Sequence, residues 1–172
     1  KYNNVYEILK EFYLIRLDFY IKRRDAIITV LKYELMILSN KVKFIEHVKA
    51  GKIKLQKIDD KSLLAYLINN EFDQDHGVYG EPIDTPTLKE FAYMIDMPIR
   101  SITNENAEKF KQQQISKQEE LDRIIAQTAK DMWKLDLQSV VEANNKAVDD
   151  LVAANTSSAP TKSSSKSRRS KK

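Results

Sequence analysis

The sequence predicts a mainly α-helical protein: a long antiparallel two-helix coiled coil, a small mixed α/β knob at its tip, and a disordered tail. Three observations predict it. From about Asn4 to Ala50 there is neither proline nor glycine, and the whole 172-residue chain holds only three glycines and four prolines, which is low for a sheet-rich protein. Leu14, Leu17, Ile21, Arg24, Ile28, Leu31, Leu35, Leu38, Val42 and Ile45 follow one another in steps of three and four. That is the period of a coiled-coil seam, interrupted only by Arg24. After Asn155 the chain is serine, lysine and arginine without an apolar pattern, a composition that cannot build a core.

The first element, residues 1–50, is the outgoing helix. Gly51 ends it, as glycine does just past a helix C-terminus. At the α-helical rise it would be about 70 Å long, more than a small domain can cover, so it must project. Residues 51–102 form the knob. "KIKLQKI" (Lys52 to Ile58) alternates charged and apolar residues and reads as a short strand. Asp59 or Asp60 caps a following helix with Leu63, Leu64, Leu67 and Ile68 on one face. "DQDHGVYGEPIDTP" holds two of the three glycines and two of the four prolines and reads as a surface loop. Thr85 and Pro86 look like an N-cap and first-turn pair for "TLKEFAYMID". That helix must stop before Met97-Pro98.

Residues 103–155 hold the returning and terminal helices. Thr103 caps the first, with Glu105 near its positive end. Its apolar positions are sparse: Phe110, Ile115, Leu121, Ile124 and Ile125. A helix this polar needs a partner along its length, and the outgoing helix is the obvious one. The terminal helix sets Trp133, Leu137, Val140, Val141, Val148 and Leu151 on a stripe. Residues 156–172 are the basic tail. The opening at Lys1, already in helical pattern, reads as a piece of a longer polypeptide.

The net charge is +4, but the tail holds six Lys or Arg and no acid. The body is left with 23 basic and 25 acidic residues, a net of −2. It has no global attraction for nucleic acid. With no cysteine, disulfides and thiolate metal sites are excluded. No apolar run reaches membrane-spanning length, and no signal peptide is visible.

Several groups invite a chemical reading. Asp73, Gln74 and Asp75 beside His76 suggest a cation site, yet they sit in a Gly/Pro loop without a third acid and read better as a solvated acidic loop. His47, near the end of the outgoing helix, reads as favouring the helix dipole. Tyr2, Tyr6, Tyr13, Tyr20 and Tyr33 are conceivable nucleophiles but fit packing better. No phosphate-binding glycine loop and no catalytic triad can be assembled. Arg16, Lys22, Arg23 and Arg24 form a basic cluster, either a solvated face with stems over apolar neighbours or a contact with a phosphate backbone. Phe91, Met94, Met97, Pro98, Ile99 and Ile102, from "FAYMIDMPIRSIT", are either knob core or a self-association patch. In the tail, Lys162, Lys166, Arg168, Arg169, Lys171 and Lys172 suit nonspecific nucleic-acid binding or nuclear import, and the serines between them could take phosphate.

These residues resemble a known family. "ILKEFYLIRLDFYIKRRDAII", "LSNKVKFI" and "GKIKL" resemble the long coiled-coil helix of eukaryotic type IIA DNA topoisomerase (topoisomerase II), which reads ILxxFxxxRLxxYxxRK, LxNxxRFI and GKI. "FAYMIDMPIRSIT" and "AKDMWKLDL" are similar to later family segments, the second to DLWxxDL. Arg100-Ser101 and the loop at 69–86 depart from the pattern. The resemblance implies the exit gate (C-gate) of that enzyme: two such arms meet through their knobs as a homodimer and part to release double-stranded DNA. It implies Mg²⁺ and ATP for the parent enzyme, with no catalytic residue, metal site or cofactor in this segment, and nuclear localisation. The alternative is a free-standing dimeric coiled-coil adaptor that binds chromatin through its basic tail.

Overall fold

The computed structural model describes residues 2–55, 57–98 and 102–157. The elements are α1 (Val5–Lys49), α2 (Asp60–Asn69), a 3₁₀ turn (Leu88–Phe91) continuing into α3 (Ala92–Ile95), α4 (Asn104–Ala126) and α5 (Ala129–Ser157). They form two compact units, Lys1–Lys130 and Asp131 onward.

In the first unit α1 spans 45 residues, about 68 Å at the α-helical rise. It starts where Asn4 accepts the Glu7 amide at 3.0 Å and ends where Gly51 takes a left-handed φ of 71°. The amides of Gly51 and Lys52 then reach back to the carbonyls of Val48 and His47. This is the glycine stop expected from the sequence, closed in the Schellman pattern.

α4 runs antiparallel to α1. Lys49 meets Asn104, Glu46 pairs with Lys111 at 2.7 Å, the Lys41 ammonium lies over the Phe110 ring, and Glu34 pairs with Lys117 at 2.9 Å. One number falls as the other rises. Along α1 the heptad stripe is buried or half-buried from Ile28 to Ile45, while Leu14 and Ile21 are exposed. Beside the half-buried Asn106, Lys111 and Glu120, α4 carries a covered row at Ala107, Phe110, Gln114, Lys117, Leu121 and Ile124, in steps of three and four. Two of them are polar, so the apolar pattern alone looked thin. Ile115 and Ile125, expected among the apolar contacts, are exposed.

The knob packs its own core: Phe44 from α1 with Ile53, Leu63, Leu67, Phe72, Phe91 and Met94. Phe44 and Phe72 meet edge to face at 6.3 Å, a favoured ring geometry. Among the described residues no strand forms, which corrects the expectation for Lys52 to Ile58 and the mixed α/β knob. The alternation itself is present: Ile53 is buried and Leu55 and Ile58 are half-buried, while Lys52, Lys54 and Lys57 are exposed. The segment has no strand to pair with, and Lys57 closes a turn onto the Lys54 carbonyl.

Asp59, not Asp60, caps α2 by accepting the Ser62 amide. Ile68 lies on the exposed side of this helix rather than in the core. The next helical turn begins at Leu88, later than Thr85-Pro86 suggested. Thr87 and Glu90 form a capping box there, satisfying two orphan amides reciprocally. Thr103 caps α4 as expected.

α2 ends in a second Schellman closure. Glu71 and Phe72 donate to the carbonyls of Ile68 and Leu67, and Phe72 and Leu67 share the core. Here the left-handed position is held by Glu71 (φ 52°) rather than glycine.

In the second unit α5 carries Leu137, Val140, Val141, Val148 and Leu151 exposed and Trp133 half-buried. It extends to Ser157, two residues into the predicted tail. The six basic tail residues lie outside the described residues.

Because an L side chain is strained at positive φ, Glu71→Gly should stabilise the first unit by about 0.5–1 kcal/mol, net of glycine's greater freedom when unfolded. A higher urea midpoint with unchanged slope would show it.

Candidate functional site

The predicted contact residues separate into two groups. Phe91 and Met94 are 1% and 0% exposed and belong to the knob core. Of the two readings open for this pair, knob core is the one that their burial favours. Met97 is half-buried against that core, Ile102 is half-buried, and Pro98 is exposed. Ile99 lies outside the described residues. Ile68, Tyr79 and Ile83 add exposed apolar surface elsewhere on the knob.

The acidic loop is bolted to α1 rather than merely solvated. Asn40, 3% exposed, donates to the Asp73 carboxylate at 2.8 Å and to the Met36 carbonyl at 2.9 Å. Its side-chain oxygen accepts the Asp73 amide. The Tyr33 hydroxyl donates to Asp75 at 2.6 Å, and the Tyr93 hydroxyl donates to the Asp73 carbonyl. Gln74 ties off the loop by bonding both the amide and the carbonyl of Ile83. At Gly80 a Cβ would lie 1.8 Å from the His76 carbonyl oxygen, so the loop closes only with glycine there. Among the described residues no group of three or more His, Asp or Glu gathers to hold a metal ion. The Asp73/Asp75 pair acts as an anchor. A cleft of about 470 Å³ lies beside it, lined by Tyr33, Ile37, Leu38, Tyr93 and Lys117 among others.

Sequence reasoning missed this clamp. Its signal was a lone Asn40 in the apolar run "MILSNKV", a residue that must find polar partners if buried. Tyr33 is a poor nucleophile here. Its hydrogen bond to the Asp75 carboxylate, with burial and the same negative charge, pushes the hydroxyl pKa up to about 12.

His47 does not serve the helix dipole as a cation. Its ring packs edge to face on Phe72 at 5.5 Å, with Nδ1 2.8 Å from the Tyr66 hydroxyl. Burial first, then the charges of Lys52 and Lys43, hold its pKa below the ordinary histidine value. Lys43 closes the C-terminus of α2 instead, donating to the carbonyls of Asn70 and Glu71 at 2.6 and 2.9 Å.

The basic cluster sits around Tyr20, which is 3% exposed. The guanidinium groups of Arg16 and Arg23 lie 5.0 and 5.6 Å from its ring centroid. Lys22 lies over Phe19 and pairs with Asp18 at 2.7 Å. Arg24 is half-buried, and its Nε is enclosed without a hydrogen-bond partner among the described residues. The cationic heads of Arg16, Lys22 and Arg23 thus lie over aromatic faces, a packing role for the cluster.

Comparison with known proteins identifies this architecture. Residues 1–138 match the DNA gyrase/topoisomerase IV A-subunit family. The chain belongs to that family. It is 31% identical over 159 residues to DNA topoisomerase 2 of Penicillium chrysogenum, covering 82% of this chain and 10% of that protein. It is 28% identical over 167 residues to human DNA topoisomerase 2-beta, covering 85% and 10%. Its fold is similar to the DNA-binding, cleavage and re-ligation domain of Plasmodium falciparum topoisomerase II. The TM-score is 0.76 and the identity 29%, over 90% of this chain and 23% of that one. This chain is therefore a type IIA topoisomerase II region. It spans about a tenth of the length of the curated relatives it matches.

Two outcomes are expected. Asn40→Ala leaves the Asp73 amide and carboxylate without their partner and should cost about 1–3 kcal/mol, with faster amide exchange at Asp73 and Asp75. For His47, the folded pKa lies below the unfolded value of about 6.5. Its contribution to stability is therefore complete above that value and declines as pH falls through it, because the unfolded state binds the proton more readily. Urea titrations between pH 7.5 and 5 should show a smaller loss in His47→Gln than in the wild type.

Proposed function

We propose that this chain is the exit-gate dimerisation region of a DNA topoisomerase II. On this reading the parent enzyme passes one DNA duplex through a transient double-strand break in another, relaxing and decatenating DNA in the nucleus. It works as a homodimer. The observation that carries the reading is the pairing of a helix about 68 Å long with an antiparallel partner. The two are joined through a knob that has its own core, in a chain whose residues 1–138 match the family. The stepwise burial of both helices supports a coiled-coil arm.

Such an arm suits a gate. The knob is held rigidly by its core and by the Asn40–Asp73 clamp, so it can move as one body when the arm swings. On this reading the contact falls to Met97, Pro98 and Ile102, together with Ile99, which lies outside the described residues. Arg16, Lys22, Arg23 and Arg24 fit a phosphate backbone as four cations within nine residues of α1, Arg16 and Arg23 meeting over Tyr20 and Lys22 lying over Phe19. The tail residues add a salt-sensitive contact with DNA.

ATP hydrolysis and Mg²⁺-dependent cleavage belong on this reading to other parts of the parent protein. The described residues offer no acidic set that fits a metal ion, so no chemical step is assigned to it here. Among the described residues no helix is long and apolar enough to cross a membrane.

Sedimentation and light scattering of the 172-residue chain at tens of micromolar should give a dimer. Pro98→Asp and Met97→Asp should shift it toward monomer with helix content retained, whereas Met94→Asp should unfold the knob. A monomeric wild type, or a dimer indifferent to the first two changes, would overturn the reading.

A further inference from the structure

The knob carries a cationic patch. Lys52, Lys54 and Lys57 are all exposed, and together they line a depression of about 360 Å³ with Gly51, Ile58, Asp59 and Ser62. Their placement follows from the core. Ile53 is buried, and Leu55 and Ile58 pack against the cluster, so the intervening lysines are forced outward as a set.

None of the three forms an ion pair among the described residues, although the body as a whole is acid-rich. Of the nearby acids, Asp59 lines the same depression and Asp60 is exposed beside it. Asp59 accepts both the amide and the hydroxyl of Ser62, and Glu46 is paired with Lys111. Lys43, a further cation near this end of α1, is committed to the carbonyls of Asn70 and Glu71. Three exposed lysines around one depression, against the single Asp59 in its lining, leave a local excess of positive charge. Its complement is a closely spaced row of negative charges.

We propose that Lys52, Lys54 and Lys57 form a docking site for the phosphate backbone of duplex DNA on the knob. The choice of DNA rests on the exit-gate reading, in which a duplex passes between the knobs. The depression has no aromatic ring in its lining that could stack on bases, and point-like ammonium groups suit sequence-independent phosphate contact. Each phosphate neutralised releases counterions, so the site has a defined salt signature.

The test measures binding of a fluorescent 30-base-pair duplex by anisotropy at several salt concentrations, with the whole 172-residue chain so that the tail contributes equally throughout. The variant Lys52→Gln/Lys54→Gln/Lys57→Gln should bind roughly tenfold more weakly near physiological salt, with a log–log salt slope shallower by about 2–3. The corresponding triple arginine variant keeps the charge and should bind like the wild type. It also supplies a folded reference if the glutamine variant proves unstable. Lys109→Gln/Lys130→Gln/Lys146→Gln removes the same charge elsewhere and should change affinity much less.

Equal losses in the two glutamine variants, an unchanged slope in the first, or weak binding by the arginine variant would each overturn the site. Sedimentation of the same samples reads the dimer separately. A dimer with an unaltered slope sinks the docking site and leaves the gate standing; a monomer sinks the gate.

Discussion

The first unit depends on how the last turns of α1 are shared between two interfaces. Phe44 and Ile45 are both 0% exposed, yet adjacent helix positions point about 100° apart. Phe44 enters the knob core. Val42 and Ile45 continue the heptad stripe, flanked by Lys41 and Glu46, which reach Phe110 and Lys111 of α4. One stretch of helix therefore fixes both the knob and the returning arm. Truncating Phe44 would empty a site surrounded by Leu67, Phe72 and Phe91, a loss on the scale of several kcal/mol.

Around that shared stretch, polar contacts do what the apolar core cannot. The connection from Asn70 to Thr87 is long for a small domain, and long loops are costly to order. Here it is held at intervals: by Lys43 at its start, Asn40 and Tyr33 at Asp73 and Asp75, Gln74 across to Ile83, and Glu90, whose carbonyl accepts the Asp75 amide at 2.7 Å. All but the last two anchors come from α1. The outgoing helix is thus the template on which the loop is laid.

Much of this was legible in the sequence. Gly51, Thr103 and the heptad stripe gave two helix ends and the seam, because each rests on a local rule that tertiary structure had no reason to override. The misses have physical causes. Lys52 to Ile58 alternates as a strand does, but alternation records only which side chains face a core, and a ladder needs a second strand. Thr85-Pro86 lost to Thr87 because Glu90 completes a reciprocal cap. Gln114 and Lys117 occupy covered positions on α4 where a polar residue with a long aliphatic stem suffices, which a count of apolar residues cannot detect. The Asn40–Asp73 and Tyr33–Asp75 pairs join residues 33 and 42 positions apart, beyond any local pattern.

On the proposed exit-gate reading, the inward placement of Phe91 and Met94 bears on how a gate can work. A surface built from all of Phe91, Met94, Met97, Pro98, Ile99 and Ile102 would be broad and apolar, like a permanent interface between protomers. With Phe91 and Met94 turned inward, fewer side chains are left to meet a partner. A contact of that kind falls toward the small end of specific interfaces, on the order of 1,000 Å² or less. Such a contact holds at high local concentration and separates under load. The same inward pair keeps the knob folded while the contact is broken, since its core does not depend on the second copy. A gate that must open repeatedly requires this division, with the residues that define its shape distinct from those that close it.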